Sequence, residues 1–331
     1  MKGTIAIFSL LLFACCNENV DVKDAELSQL EFLNRSILES PNSDEVYLER
    51  AKYFFEKEKK TEEALRDIKR CFAIDSSNAE VFILEGKIYS ALGQSAKAKF
   101  SWLEAIKKSP ENIEARLELA QFYASLTNYQ KAIDLTNEAL QIDRNNAKSY
   151  LIKGLVYRKA GNDSLAVSSI QTAVEVDSKL MNGYIYLGMI YGEKNDPLAI
   201  EYYKSALDLD PNNQQVLYAL AYFYQENGNY KEALDYYDRL TTVDGSNAFA
   251  SFNKGFIHLV YLEQLDSAIF FFTETLKKDP KYYAAYYNRG FAYEQLNKFK
   301  DARLDYQAAL TIEHNYPLAI EGMNRLDDIQ K

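Results

Sequence analysis

Histidine and cysteine are nearly missing from this chain. Its 331 residues include only His258 and His314, and only Cys15, Cys16 and Cys71. Zinc centres draw most of their ligands from these two residue types, so neither a metal site nor any other cofactor is expected. Cys15 and Cys16 are adjacent near the start. Cys71 is therefore alone in the body of the chain, and no internal disulfide framework can form. Tryptophan occurs once, at Trp102. An excess of basic charge is also lacking: 38 Lys and Arg face 48 Asp and Glu, for a net charge of −10. Affinity for phosphate backbones comes mainly from clustered cations, so nucleic acid is not an expected partner. No glycine-rich phosphate loop, no paired histidines on one helix face and no Gly-x-Ser-x-Gly turn occur. The expectation is a binding protein, not an enzyme.

The most apolar run is "IAIFSLLLFACC", Ile5 to Cys16. A membrane helix needs roughly 20 apolar residues, and this run is about half that. A lysine before it and a small residue near its end give it the size of a signal peptide. Its last four residues, Leu12, Phe13, Ala14 and Cys15, resemble the bacterial lipobox. That resemblance implies cleavage after Ala14 and lipidation of Cys15. It also implies a lipid-anchored place in the bacterial cell envelope, with Cys16 next in line favouring the outer membrane, facing the periplasm. A plain secretory signal cleaved elsewhere is the alternative. The layout expected is a signal peptide over 1–14 and a short acidic tether over 15–24.

The body repeats itself. Aligned on one alanine (Ala64, Ala98, Ala132, Ala166, Ala199, Ala233, Ala268, Ala302), the spacings are 34, 34, 34, 33, 34, 35 and 34. Each alanine has a similar context, as in "NYQKAIDL" and "NYKEALDY". Counted from starts at 44, 79, 113, 147, 181, 214, 248 and 283, the eighth position is always small and the eleventh nearly always a ring. The eleventh reads Phe54, Tyr89, Tyr123, Tyr157, Tyr191, Tyr224, His258 and Tyr293. Near position 24 stand Ile68, Trp102, Thr136, Ile170, Tyr203, Tyr237, Phe272 and Tyr306. A period of 34 with this pattern resembles the tetratricopeptide repeat, a helix-turn-helix unit that completes its core only by stacking. The resemblance implies an all-α, right-handed α-solenoid of about eight repeats: 44–78, 79–112, 113–146, 147–180, 181–213, 214–247, 248–282 and 283–316. Capping helices are expected within 25–43 and 317–331, the second with Ile320, Met323 and Leu326 inward.

Turn chemistry agrees. Gly93, Gly161, Gly228, Asn195 and Asn297 stand where first helices end and tolerate the left-handed conformation found there. The first and seventh repeats have one extra loop residue, which is expected to replace that device. Asp75, Asp143, Asp177, Asp210, Asp244 and Asp279 fall between repeats, where a short carboxylate can accept from turn N–H groups. His258 reads as a substitute core ring, His314 as an exposed turn residue, and Cys71 as a buried thiol.

In tetratricopeptide proteins the first helix of each unit lines a concave groove through positions 2, 5, 9 and 12. The resemblance places Tyr218, Tyr222, Phe249, Phe252, Phe256, Tyr287 and Phe291 on that face, all in the last three repeats. Seven open rings would exceed the few hundred Å² of apolar patch usual on a monomer. Either a partner covers them or the chain covers them itself. No repeat pairs Lys at position 5 with Asn at position 9, so a clamp for a terminal carboxylate is not expected. The function implied is a membrane-anchored scaffold for a protein or peptide, in envelope assembly or secretion. A glycan-binding envelope lipoprotein is the alternative, and the lack of a groove tryptophan counts against it.

Overall fold

The computed structural model describes residues 28–329; the run ending at Cys15 and Cys16, and the tether after it, lie outside the described residues. Among the described residues the chain forms eighteen α-helices and no strand. None of these helices is long and apolar enough to cross a membrane.

The helices divide between two compact units that part after Pro110. The first holds α1 (Gln29–Glu39), α2 (Asp44–Glu56), α3 (Thr61–Ile74), α4 (Ala79–Ala91) and α5 (Ser95–Lys108). The second begins with α6 (Ile113–Ser125), α7 (Tyr129–Ile142), α8 (Ala147–Lys159), α9 (Asp163–Val176), α10 (Met181–Glu193) and α11 (Leu198–Leu209). It continues with α12 (Gln214–Glu226), α13 (Tyr230–Val243), α14 (Ala248–Val260), α15 (Leu265–Lys278), α16 (Tyr283–Gln295), α17 (Phe299–Ile312) and α18 (Pro317–Ile329). From α2 to α17 these form eight helix-turn-helix pairs, the α-solenoid architecture. A single pair cannot bury its apolar face, so stacking within each unit builds the core.

Each pair closes on a small residue against a large one. All eight aligned alanines, Ala64 to Ala302, are fully buried. A Cβ on Gly86 would stand 2.4 Å from the Trp102 ring, and one on Gly255 would stand 2.8 Å from Phe272. Glycine is therefore what lets the second helix bring a ring that close. Position 8 does not track the partner's size throughout: Ala51 and Ala120 go with the smaller Ile68 and Thr136, but Ala221 goes with the buried Tyr237 and Gly154 with Ile170.

The turn inside each pair differs from the sequence expectation. All eight pairs contain one residue with positive φ, between 53° and 78°. Three of the eight are neither glycine nor asparagine: Lys59, Thr127 and Glu263. The extra residue in the first and seventh repeats thus does not remove the left-handed step. The reason lies in one bond that all eight share. The N–H after the left-handed residue donates to the carbonyl of the ring position, as from Gln94 to Tyr89 at 2.8 Å and from Asn229 to Tyr224 at 2.9 Å. In the longer loops the same bond runs from Lys60 to Phe54 and from Gln264 to His258, both at 2.8 Å. The insertion widens the ring of the turn by one residue but leaves the chain reversal to the left-handed residue.

Between repeats, the six aspartates each accept from the N–H two residues on, at 2.7–3.1 Å. Asn78, Asn112, Asn146, Asn213 and Asn247 then cap the first helices through their side-chain oxygens. Such caps contribute about 1 kcal/mol each. At the far end α18 buries Ala319, Gly322 and Leu326, while Ile320 is exposed. Leu326 and the half-buried Met323 face inward as expected, and only Ile320 does not. The bulky Tyr306 ring packed beneath the helix favours small residues at the closest positions.

Candidate functional site

Three cavities lie along the first helices of the second unit. One of about 510 Å³ is lined by Gln121, Leu155, Arg158, Lys159 and Tyr186, from α6, α8 and α10. The next, about 410 Å³, lies between α10 and α12 and includes Met189, Glu193, Tyr218, Tyr222 and Glu226. The third, about 400 Å³, is formed by Gln214, Gln215, Tyr218, Asn247 and Phe249. Gln215 and Tyr218 line both of the last two, which join as one groove there.

The seven rings named from the sequence do not share one environment. Tyr222 is 46% exposed and Phe249 is 59% exposed. Tyr218, Phe252, Phe256, Tyr287 and Phe291 are half-buried. Their cover comes largely from the chain's own rings. Tyr218 meets the buried Tyr237 at 6.1 Å, Phe252 meets Phe272 at 5.6 Å, and Tyr287 meets Tyr306 at 5.7 Å. Phe252 also stacks on Tyr282 at 4.8 Å, and Tyr287 meets Tyr316 edge-on at 5.5 Å. Tyr282 and Tyr316 were not among the residues picked out from the sequence. Their signal was present: each is a ring one residue before a first helix.

Polar groups fix the rings in place. The Asn253 amide donates to the Tyr237 hydroxyl at 3.0 Å and to the Tyr218 hydroxyl at 3.3 Å. Tyr237 in turn donates to the buried Gln225 side chain at 3.1 Å. Burial pushes the Tyr237 phenol well above its ordinary value and the Tyr282 phenol up to about 12. Tyr222 is raised as well, first by burial and then by the Glu226 carboxylate. At the other end of the row, Arg325 lies 5.7 Å over the Phe291 ring and donates to both oxygens of Glu294 at 2.8 and 2.9 Å. Burial works against the Glu294 carboxylate, but hydrogen bonds from Arg325 and Tyr306 hold it below the usual range.

The residues weighed for chemistry are placed elsewhere. His258 stacks on Phe271 at 5.2 Å, and its Nδ1 hydrogen-bonds Gln264 at 2.8 Å. His314 is exposed. Cys71 is fully buried, its thiol pushed up to about 12 by burial and then by Asp44 and Asp67. Among the described residues no group of three His, Cys, Asp or Glu side chains is arranged to hold a metal.

Four family models, each described as tetratricopeptide repeat, match residues 83–147, 147–180, 197–250 and 271–304. No curated protein matches the sequence. Among solved structures, pilF of Pseudomonas aeruginosa is 21% identical with a TM-score of 0.51, over 68% of this chain and 98% of its own. The Cut9–Hcn1 heterotetramer of the APC/C is 18% identical with a TM-score of 0.48, over 90% of this chain and 58% of that one. The MamA protein is 20% identical with a TM-score of 0.43, over 52% and 94%. The likeness to pilF is one of fold.

Proposed function

The chain belongs to the tetratricopeptide repeat family, and from that premise we propose that it is a protein-binding scaffold. It takes an extended peptide or a partner's segment along the first helices of repeats five to seven. One observation carries this reading. Tyr222 and Phe249 remain exposed, one in each of two hollows that share Gln215 and Tyr218 as lining. Exposed rings beside desolvated hollows are the usual anchors of protein interfaces. Phe252, Phe256, Tyr287 and Phe291 act as the backing of this surface more than as its contact face.

The proposal extends to where the scaffold works. The apolar run ending in Leu12, Phe13, Ala14 and Cys15 supports a lipid anchor on Cys15. Held so at a bacterial envelope, on the periplasmic face of the outer membrane, the groove would gather a partner for envelope assembly or secretion.

Tyr222→Ala combined with Phe249→Ala should abolish partner capture from detergent-solubilised envelopes while the helical circular dichroism stays unchanged. Undiminished capture would reject the groove. Binding on a glycan array, lost in the same double variant, would put a sugar in the peptide's place. Cys15→Ser should release the protein into the soluble fraction, and persistent membrane retention would reject the anchor.

A further inference from the structure

The groove reading above is the basis for a narrower statement about what enters it. Repeat eight contains a closed set of three groups: the Glu294 carboxylate, the Phe291 ring on the same helix, and the Arg325 guanidinium from α18. The cation is held by an acid and a ring face at once. Both attractions strengthen out of bulk water.

Repeat six carries the ring at the same position, Tyr222, but Gln225 stands where Glu294 stands and accepts from Tyr237; its acid, Glu226, comes one residue later. Tyr222 and Glu226 lie one helical turn apart on α12 and line the same cavity. The carboxylate bears electrostatically on both the Tyr222 and the Tyr261 phenols. Tyr261 stacks on Tyr230 at 4.4 Å and meets Phe256 at 5.9 Å. Counted from the helix start, the residue of α14 that stands where Arg325 stands in α18 is Phe256. The slot that holds a guanidinium in repeat eight thus holds a ring here. Glu226 has no ion-pair partner among the described residues, unlike Glu193 across the same cavity, which pairs with Arg158.

We propose that Glu226, Tyr222, Tyr261 and Phe256 form a receptor for one cationic side chain, a lysine or arginine presented by a partner segment. There the partner's cation would meet a carboxylate and a ring face, the two kinds of group that hold Arg325 in repeat eight, at a place next to the slot that Phe256 fills. The net charge of −10 favours the approach of a basic segment and disfavours a second copy of this chain as the occupant.

The test is calorimetric titration of the full chain with an octapeptide of alternating lysine and alanine, and with the same peptide acetylated on its lysines. The lysine peptide should bind and the acetylated one should not. Glu226→Gln should weaken binding about fivefold and Tyr222→Leu about threefold, in keeping with a partly exposed cation–π and ion-pair site. Glu62→Gln, an equal loss of charge on the exposed face of α3, should leave binding unchanged. Three results would overturn the proposal: no binding of the lysine peptide, equal binding of the acetylated peptide, or equal weakening by Glu226→Gln and Glu62→Gln. The groove reading fails separately, by undiminished partner capture in the Tyr222→Ala, Phe249→Ala variant. Loss of capture there alongside a neutral Glu226→Gln removes only the cation.

Discussion

Repeats one to four and repeats six to eight share one register and use it for different ends. At position 5 the early repeats carry Leu48, Ile83, Leu117 and Leu151, all buried. The late ones carry Tyr218, Phe252 and Tyr287, all half-buried. Near position 24 the early series is Ile68, Trp102, Thr136 and Ile170, and the late series is Tyr237, Phe272 and Tyr306. In each late repeat the ring at position 5 rests on the ring near 24, at 5.6–6.1 Å. An aliphatic side chain at position 5 disappears beneath the helix. A ring resting on another ring is too large to do so and keeps one edge at the surface. Size at two positions therefore decides whether a given register position is core or groove.

The largest expected effect tests this directly. Tyr237→Ala removes a fully buried ring and the hydroxyl that links Asn253 to Gln225, and should cost about 3–5 kcal/mol. Thr136→Ala, at the equivalent early position, should cost about 1 kcal/mol. Urea unfolding followed by circular dichroism measures both. Equal costs would mean that the late rings do not carry the packing assigned to them. A second variant tests whether the fit itself matters. Gly255→Ala drives a methyl group into Phe272 and should cost about 1–3 kcal/mol, with much of the loss recovered in the double variant with Phe272→Leu. Thermal melts that show simple additivity would argue against size complementarity.

Much of the fold was legible because the repeat obeys few rules. The buried alanines, the small residue at position 8 and the ring at position 11 recur without exception of role, even at His258. The groove was legible only in part. Positions 5 and 9 told where rings sit along a helix, but exposure depends on what lies beneath, and that is a contact between helices. Tyr222 and Phe249 stayed open while Phe252 and Tyr287 were covered by Tyr282 and Tyr316, residues of the turns between repeats. The asparagine caps were not legible as caps because four of the five stand three residues after a turn aspartate, so that turn and helix start share one short polar stretch.

Alkaline pH should act through repeats five to eight more than through the earlier ones, by a smaller effect. Burial raises the phenols of Tyr203 and Tyr282 to about 12 and lifts Tyr237 and Tyr306 further. A group raised in the fold adds stability that is fully present below its unfolded value, about 10 for tyrosine. That contribution is lost as pH climbs through the folded value. The thermal midpoint should therefore fall from about pH 10 towards 12. Tyr203→Phe and Tyr282→Phe should flatten that fall, because phenylalanine has no proton to lose. A slope unchanged by both substitutions would contradict the burial of these phenols.

The smallest effect falls where the two regions should not differ. The left-handed residue belongs to the geometry of the turn and not to the ring content of the repeat, so Thr127 and Glu263 adopt it although they lie on opposite sides of the division. A side chain in that conformation costs about 1 kcal/mol relative to glycine. Thr127→Gly and Glu263→Gly should each stabilise the chain by up to about 1 kcal/mol, less the extra freedom glycine gives the unfolded state. Gly161→Ala, at φ 78° with no atom within 4 Å of the new methyl group, should destabilise by about 1 kcal/mol through backbone strain alone. Denaturation midpoints that rise for Thr127→Gly but not for Glu263→Gly would show that the longer loop of repeat seven relieves the strain. The turn would then follow the same division as the rings.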